Sequence, residues 1–294
     1  MNEKKKCPNC GLLIDSDMKK CPYCGYIIPD EEKEKEIQKS EPEIIEPKIS
    51  PKTTIKKNLF AFQNRRDVSS SKELSFFFIV LIGFNLMGLL VSYITGIFNS
   101  YFLTTTTGNA MLNFSIYLII FGVFGLILQN DIKLIFKNIF KSRTYLYGIA
   151  YGFLIIFVNA LYSMIVTKLY PGLTSNNNES SIDSIVAIFP ILSTLIFGIV
   201  GPICEEIGYR VGLFSFIRKY NRVVAYILTA LIFGFIHFDF FGDMKVEFLN
   251  LPSYIISGLL FCYVYDKEGP ETSIVAHMTN NLFAIIMTII GNII

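Results

Sequence analysis

Three short polar patterns interrupt otherwise apolar sequence, and they are built from groups that accept, donate or hold protons. They are Cys204-Glu205-Glu206-Ile207-Gly208-Tyr209-Arg210, Phe233-Gly234-Phe235-Ile236-His237 and His277-Met278-Thr279-Asn280-Asn281. The second and third contain the only two histidines of the chain. A charge at the centre of a membrane helix costs about 2.5–3.5 kcal/mol, so each pattern asks for a compensating partner or a chemical purpose. Helical spacing organises the groups. Glu206 and Arg210 stand at i and i+4, on one face and within reach of an ion pair, while Glu205 points about 100° away. One carboxylate is compensated and the other stays available. His277 and Asn281 share the same spacing, so an imidazole and an amide can converge on one point, and Phe233 lies below His237 on one stripe. A Glu–Arg pair or a lone histidine is often no more than a bundle staple. A staple needs a single pair, whereas here two carboxylates, both histidines and an amide occur together.

A fourth pattern lies near the N-terminus: Cys7-Pro8-Asn9-Cys10-Gly11 and Cys21-Pro22-Tyr23-Cys24-Gly25, two CxxC knuckles with ten residues between them. Four thiolates at this spacing can surround one tetrahedral Zn2+, with each glycine permitting the turn that aims amide N–H groups at sulfur. Two disulfides would need an oxidising compartment, and no cleavable signal peptide precedes Cys7, so reduced thiols and a cytosolic N-terminus are expected. Residues 1–28 are too few for a hydrophobic core, so a structural zinc would supply most of their folding free energy. Residues 29–73, rich in Glu, Lys, Pro and Ser, read as a flexible charged linker.

The elements that carry the first three patterns follow from composition. Of the whole chain, 52% is hydrophobic and 17% charged, and residues 1–73 hold 15 Lys/Arg and 13 Asp/Glu, leaving only 11 of each for the remainder. That remainder, 74–294, has the composition of a transmembrane domain. Approximate spans are 74–98, 110–129, 145–168, 185–209, 223–238, 250–265 and 273–292, seven in all, with the fifth and sixth short and the fourth divisible at Pro190. The expected class is an all-α polytopic membrane protein of about seven transmembrane helices, preceded by a small zinc ribbon and a disordered tether. Basic residues flank alternate loops: Lys133, Lys137, Lys141 and Arg143; Arg218, Lys219 and Arg222; then Lys267. The intervening loops hold only Lys168 and Lys245. A cytoplasmic N-terminus and an extracytoplasmic C-terminus in the cell membrane follow. Glu205 lies about 20 Å along the helix from Lys219 and His237 at a similar height from Arg222, whereas His277 sits nearer the cytosol unless Gly269-Pro270 lifts its helix.

In this order on successive membrane helices, Glu205-Glu206-x-x-x-Arg210, Phe233-x-x-x-His237 and His277-x-x-x-Asn281 resemble the CPBP intramembrane proteases, also called CAAX-protease or Abi proteins. The resemblance covers roughly residues 180–292. It implies a helical membrane peptidase whose substrate is a prenylated protein, a membrane protein or a bacteriocin-like peptide, hydrolysed in a polar cavity reached from membrane or cytosol. Peptide hydrolysis requires a base for water and donors for the oxyanion, and a poorly hydrated carboxylate is a strengthened base. Glu205 then takes that role, His237 holds the same water, and His277 and Asn281 polarise the scissile carbonyl. Glu206 and Arg210 orient the helix and tune Glu205. Two histidines plus a carboxylate are also the ligand set of a catalytic zinc, so a metal-assisted variant stands beside the glutamate one. The non-enzymatic alternative is a membrane immunity factor or peptide-binding scaffold. A transporter is disfavoured, because the first three spans carry no buried charge to continue a path. Membrane lipid, a peptide or protein substrate and a protein partner for the ribbon are the expected partners. A net charge of +2 with so few Lys/Arg on the apolar part argues against nucleic acid.

Overall fold

The computed structural model of the chain describes residues 4–7, 13–19, 21, 27–28, 70–84, 89–90, 93–94, 97, 101–128 and 137–293. Strands β1 (Lys4–Lys6) and β2 (Leu13–Asp15) pair antiparallel, with Lys4 opposite Asp15 and Lys6 opposite Leu13. Cys7 and Cys21, the first cysteine of each knuckle, are buried in one small cluster with Ile14. Cys10 and Cys24 lie outside the described residues, as does the linker up to residue 69.

The remainder is helical: α1 (Ser70–Ile82), α2 (Thr106–Ile127), α3 (Ser142–Leu169), α4 (Asn177–Ile188), α5 (Pro190–Arg218), α6 (Arg222–Phe235), α7 (Met244–Glu268) and α8 (Pro270–Gly291). Among the described residues, α2, α3, α5, α7 and α8 are long and apolar enough to cross a bilayer, and α6 is a shorter apolar helix. The polytopic all-α class is therefore as expected. One span divides where expected and another differs in length. The fourth breaks at Phe189 (φ −126°, ψ 59°), because the ring of Pro190 pushes the preceding residue out of the helical region, and a new helix starts at Pro190. The sixth is not short: the Asp243 side chain caps it by accepting from the Lys245 and Val246 N–H groups, and its charged last turn stays helical to Glu268.

α5 is the centre of the bundle. Of its most apolar stretch 72% is buried, against 17% for α3, whose Phe153, Phe157, Leu161 and Ile165 face outward. Close approach is bought by missing side chains. A Cβ on Gly152 of α3 would lie 2.5 Å from Thr279 Cβ of α8, and one on Gly212 of α5 would lie 2.8 Å from the Phe77 backbone nitrogen of α1. Small residues at these positions let helix backbones meet.

Ion pairs tie one end of the bundle together. Lys219 meets Glu73 at 2.6 Å, Arg218 and Arg222 meet Asp266 at 2.6 and 2.8 Å, and Arg143 meets Glu268 at 3.4 Å. The opposite end is joined by neutral and acidic groups: Asn177 N–H donates to Glu247 at 2.9 Å, and the Tyr162 hydroxyl to the Leu249 carbonyl at 2.7 Å.

Candidate active site

Twice along α5 the backbone widens, at Ile196–Val200 and Glu206–Phe214, where the N–H groups of Gly201 and Ser215 reach carbonyls five residues back, those of Ile196 and Arg210. Such π turns recur at functional sites because they re-aim side chains within a continuous helix. Here they flank Glu205 and include Glu206 and Arg210.

Glu206 is buried completely and saturated. It meets Arg210 at 3.0 Å, accepts the Ser273 hydroxyl, and accepts His277 Nδ1–H at 2.9 Å. Arg210, also fully buried, lies 4.3 Å from the Phe233 ring centroid and 5.1 Å from that of Phe261, so two aromatic faces add to the carboxylate in stabilising its charge. Because Nδ1 of His277 faces a carboxylate, its proton sits there and the ring orientation is fixed, as in other carboxylate–imidazole pairs. Phe261 stacks on the same ring at 4.3 Å.

Glu205 has a different environment. The Tyr117 hydroxyl of α2 donates to its Oε1 at 3.0 Å, and His277 Nε2 stands 3.8 Å from its Oε2, beyond a direct hydrogen bond. One imidazole thus bridges the two glutamates, with Nδ1 toward Glu206 and Nε2 toward Glu205. His277 reaches this depth because the start of α8 is lifted: after Gly269 (φ 102°), residues Pro270 to His277 are all buried.

His237 sits two residues beyond the end of α6. Its Nδ1–H donates to the Phe233 carbonyl at 2.8 Å, which leaves Nε2 as an acceptor in the neutral ring. Tyr254 stacks on it at 4.5 Å and 14°, and Phe233 packs at 5.0 Å from His237 and 5.9 Å from His277. The His237 carbonyl accepts Asn176 Nδ2 at 3.1 Å, while the Asn176 Oδ1 caps α4 by accepting Glu179 N–H at 3.0 Å. Beside it, Asp239 accepts Asn177 Nδ2 at 2.7 Å and Phe241 N–H at 2.8 Å, and these two donors hold its carboxyl below the ordinary carboxylate range.

A cleft of about 400 Å³ runs between α2, α4 and the loop after α6, with His237 and Tyr117 in its wall and Asn109, Asn113, Asn177 and Asn178 along its sides. Asn281 is placed differently from its neighbours: its Nδ2 donates to the Phe197 carbonyl in the first wide turn of α5 at 3.0 Å, with a second N–H on the same amide. The structure therefore brings Glu205, Glu206, Arg210 and His277 into direct contact, sets His237 across the Phe233 ring, and anchors Asn281 to the α5 backbone. Tyr117, Ser273, Tyr254 and Asn176 are contributors that spacing alone did not signal. Among the described residues, no three His, Cys, Asp or Glu side chains cluster so as to hold a metal ion. Both histidine Nδ1–H groups are engaged, by Glu206 and by the Phe233 carbonyl, which leaves both Nε2 atoms over.

Residues 187–283, which include all six of these positions, match the profile of the type II CAAX prenyl endopeptidase Rce1-like family. The chain belongs to that family. Residues 3–28 match a zinc-ribbon domain. The family member is similar to a protein of Mycoplasma capricolum (28% identity, 54% of this chain and 49% of the relative) and to YdiL of Bacillus subtilis, named as a candidate membrane peptidase (32%, 40% and 44%). It is also similar to the UPF0177 protein YxdF of Lactococcus lactis (30%, 49% and 75%). The chain thus spans about half the length of the first two relatives. No solved structure matches.

Proposed function

We propose that this protein is a membrane-embedded endopeptidase that hydrolyses a peptide bond with glutamate-activated water. The observation that carries the reading is the contrast between two adjacent carboxylates: Glu206 has every oxygen engaged by buried donors, while Glu205 keeps Oε2 beyond hydrogen-bond range of His277 and is held by Tyr117, which lines the cleft. Glu205 takes a proton from water as the water oxygen attacks the scissile carbonyl carbon, then passes it to the amine nitrogen as the C–N bond breaks. His237 Nε2 accepts the second water hydrogen. The scissile carbonyl is polarised by His277, whose Nε2 faces Glu205, and by the second N–H of Asn281. Glu206 and Arg210 are positioning residues acting through His277.

The ribbon holds one Zn2+ through Cys7, Cys10, Cys21 and Cys24 on the cytosolic side, and the chain is a multi-pass cell-membrane protein with its C-terminus outside. Side chains alone carry the steps, so zinc content separates this reading from a metallopeptidase. One equivalent lost with Cys7→Ser and none with Glu205→Ala is expected, whereas an equivalent lost with Glu205→Ala refutes the metal-free steps. In detergent, Glu205→Gln abolishes peptide cleavage with an unchanged unfolding midpoint; retained cleavage rules the proposal out.

A further inference from the structure

Resting on the endopeptidase reading, we infer that Glu247 is a positioning residue of the reaction: through two backbone N–H groups its carboxylate holds the turn that carries His237 against the start of α4. His237 lies outside regular structure, in the turn that closes α6, where its own N–H reaches the Gly234 carbonyl at 3.1 Å and the Phe238 N–H reaches that of Phe235 at 3.2 Å. A group that holds a reacting water must stay within about 0.5 Å of its productive place, and a loop does this less well than a helix. The chain after His237 therefore needs a tie to a rigid element.

Glu247 supplies it. Its Oε2 accepts the N–H of Asp239, two residues past His237, at 3.1 Å, and its Oε1 accepts the N–H of Asn177, the first residue of α4, at 2.9 Å. Glu247 is 1% exposed, and among the described residues neither oxygen meets a Lys or Arg. A carboxylate buried without a cation is costly unless donors answer it. Here the donors are main-chain groups, and the N-termini of two helices converge on the site: Glu247 lies in the first turn of α7, and Asn177 opens α4. Capping α7 does not account for this placement, because Asp243 already accepts the Lys245 and Val246 N–H groups there. The N–H groups that Glu247 takes come instead from the His237 turn and from α4.

A second observation comes from the same stripe of α7. Tyr254, two helical turns past Glu247, stacks on the His237 ring at 4.5 Å and 14°, and its hydroxyl donates to Asn176 Oδ1 at 3.2 Å. Asn176 Nδ2 in turn donates to the His237 carbonyl at 3.1 Å. One face of α7 thus fixes the imidazole directly and the chain on its C-terminal side twice, at the carbonyl of 237 and the N–H of 239. Gly242 leaves room for the arrangement: a Cβ there would lie 2.8 Å from Asn177 Nδ2 and 3.1 Å from Glu247 Oε1. With Nδ1 already bound to the Phe233 carbonyl, the ring follows the turn wherever the turn goes. A displacement of about 1 Å at a reacting group costs up to roughly 100-fold in rate.

Because the chain has only two histidines, [13C]histidine labelling of the full-length protein in detergent, with a histidine-free affinity tag, gives two imidazole Cε1–H signals, and His237→Gln assigns them. Glu247→Gln keeps the shape but turns an NH2 toward one of the two N–H groups. It is expected to move or broaden the His237 signal, which the Tyr254 ring shields, and to leave that of His277 in place. Asn250→Ala is the control: Asn250 Nδ2 ties α7 to the Thr174 carbonyl at 3.1 Å, beside the same start of α4, and its loss leaves both signals unchanged. Cleavage is followed with the member that the unaltered protein cuts fastest in a pool of quenched-fluorescent decapeptides, half of them farnesylated at a C-terminal cysteine. Glu247→Gln is expected to lower kcat about 10- to 100-fold with KM within about twofold, and Asn250→Ala to change neither. An unchanged His237 signal in folded Glu247→Gln, or an equal disturbance of His277 or in Asn250→Ala, overturns the positioning role. A moved signal with unaltered kcat overturns its place in the reaction. If Glu247→Gln does not fold, Gly242→Ala, which deletes no group and crowds Glu247 Oε1 and Asn177 Nδ2, is judged by the same readings. Absence of cleavage by the unaltered protein overturns the peptidase reading, and with it any place of Glu247 in the reaction, while the imidazole signals still decide whether Glu247 holds His237.

Discussion

Glu206→Gln strands a guanidinium where no water can reach it. Arg210 and Glu206 are both 0% exposed, and the pair is closed at 3.0 Å. Removing one member of a buried pair costs about 3–5 kcal/mol, mainly because the survivor keeps its charge without compensation. The rings of Phe233 and Phe261 at 4.3 and 5.1 Å offset only part of this, on the order of 1–2 kcal/mol. Glu206→Gln is therefore expected to lower stability by about 1–4 kcal/mol once those ring faces are counted. Adding Arg210→Met removes the stranded charge and fills its volume, so the double variant recovers about 1–3 kcal/mol relative to Glu206→Gln alone. The chain has no tryptophan, but Cys204 and Cys262 are 0% exposed, so a fluorogenic thiol dye reads unfolding in detergent as these sulfurs emerge. Peptide cleavage is lost in both variants, because His277 loses its carboxylate partner in each. A double variant whose cost equals the sum of the two single costs refutes the claim that a charge is buried and paired at this position.

Tyr117→Phe deletes one hydrogen bond to a carboxylate, a group worth about 1.5–3 kcal/mol, so cleavage falls roughly 10- to 100-fold with little change in unfolding midpoint; an unaltered rate in a continuous peptide assay contradicts the role of the hydroxyl. Gly152→Ala forces a Cβ to within 2.5 Å of Thr279 and is expected to cost about 1–3 kcal/mol, whereas Gly125→Ala, whose Cβ meets nothing within 4 Å, is neutral; equal midpoints for the two would deny the close α3–α8 approach. The Asp239 carboxyl is depressed in the folded chain, so its stabilising contribution is present above the ordinary value of 3.8 and is lost as pH falls through the lower folded value. Asp239→Asn accordingly flattens the acid limb of the unfolding curve below that pH, and an identical acid limb in both proteins would count against it.

Much of the site was legible because its spacing is local. Glu206 and Arg210 pair as their i, i+4 positions require, and Phe233 fixes His237 through both its ring and its carbonyl. The break at Pro190 was equally visible, since proline constrains the residue before it. What periodicity could not supply is pairing across long separations: Tyr117 lies 88 residues from Glu205, and Ser273 lies 67 from Glu206. The depth of His277 depended on Gly269, whose left-handed backbone raises the start of α8, and hydropathy does not register such a turn. Nor does it register the wide turns of α5, which give Asn281 the Phe197 carbonyl as a partner. The length of α7 was underestimated because charged first and last turns look like loop in a hydropathy profile but remain helical when capped.

The sheathing of α5 has a consequence for what surrounds the glutamates. With 72% of its apolar stretch enclosed by other helices, acyl chains touch the outer helices and not the segment bearing Glu205 and Glu206. The polarity felt by both carboxylates is then a property of the polypeptide, carried from bilayer to micelle, and changes of lipid species or tail length reach them only through the helices packed around α5.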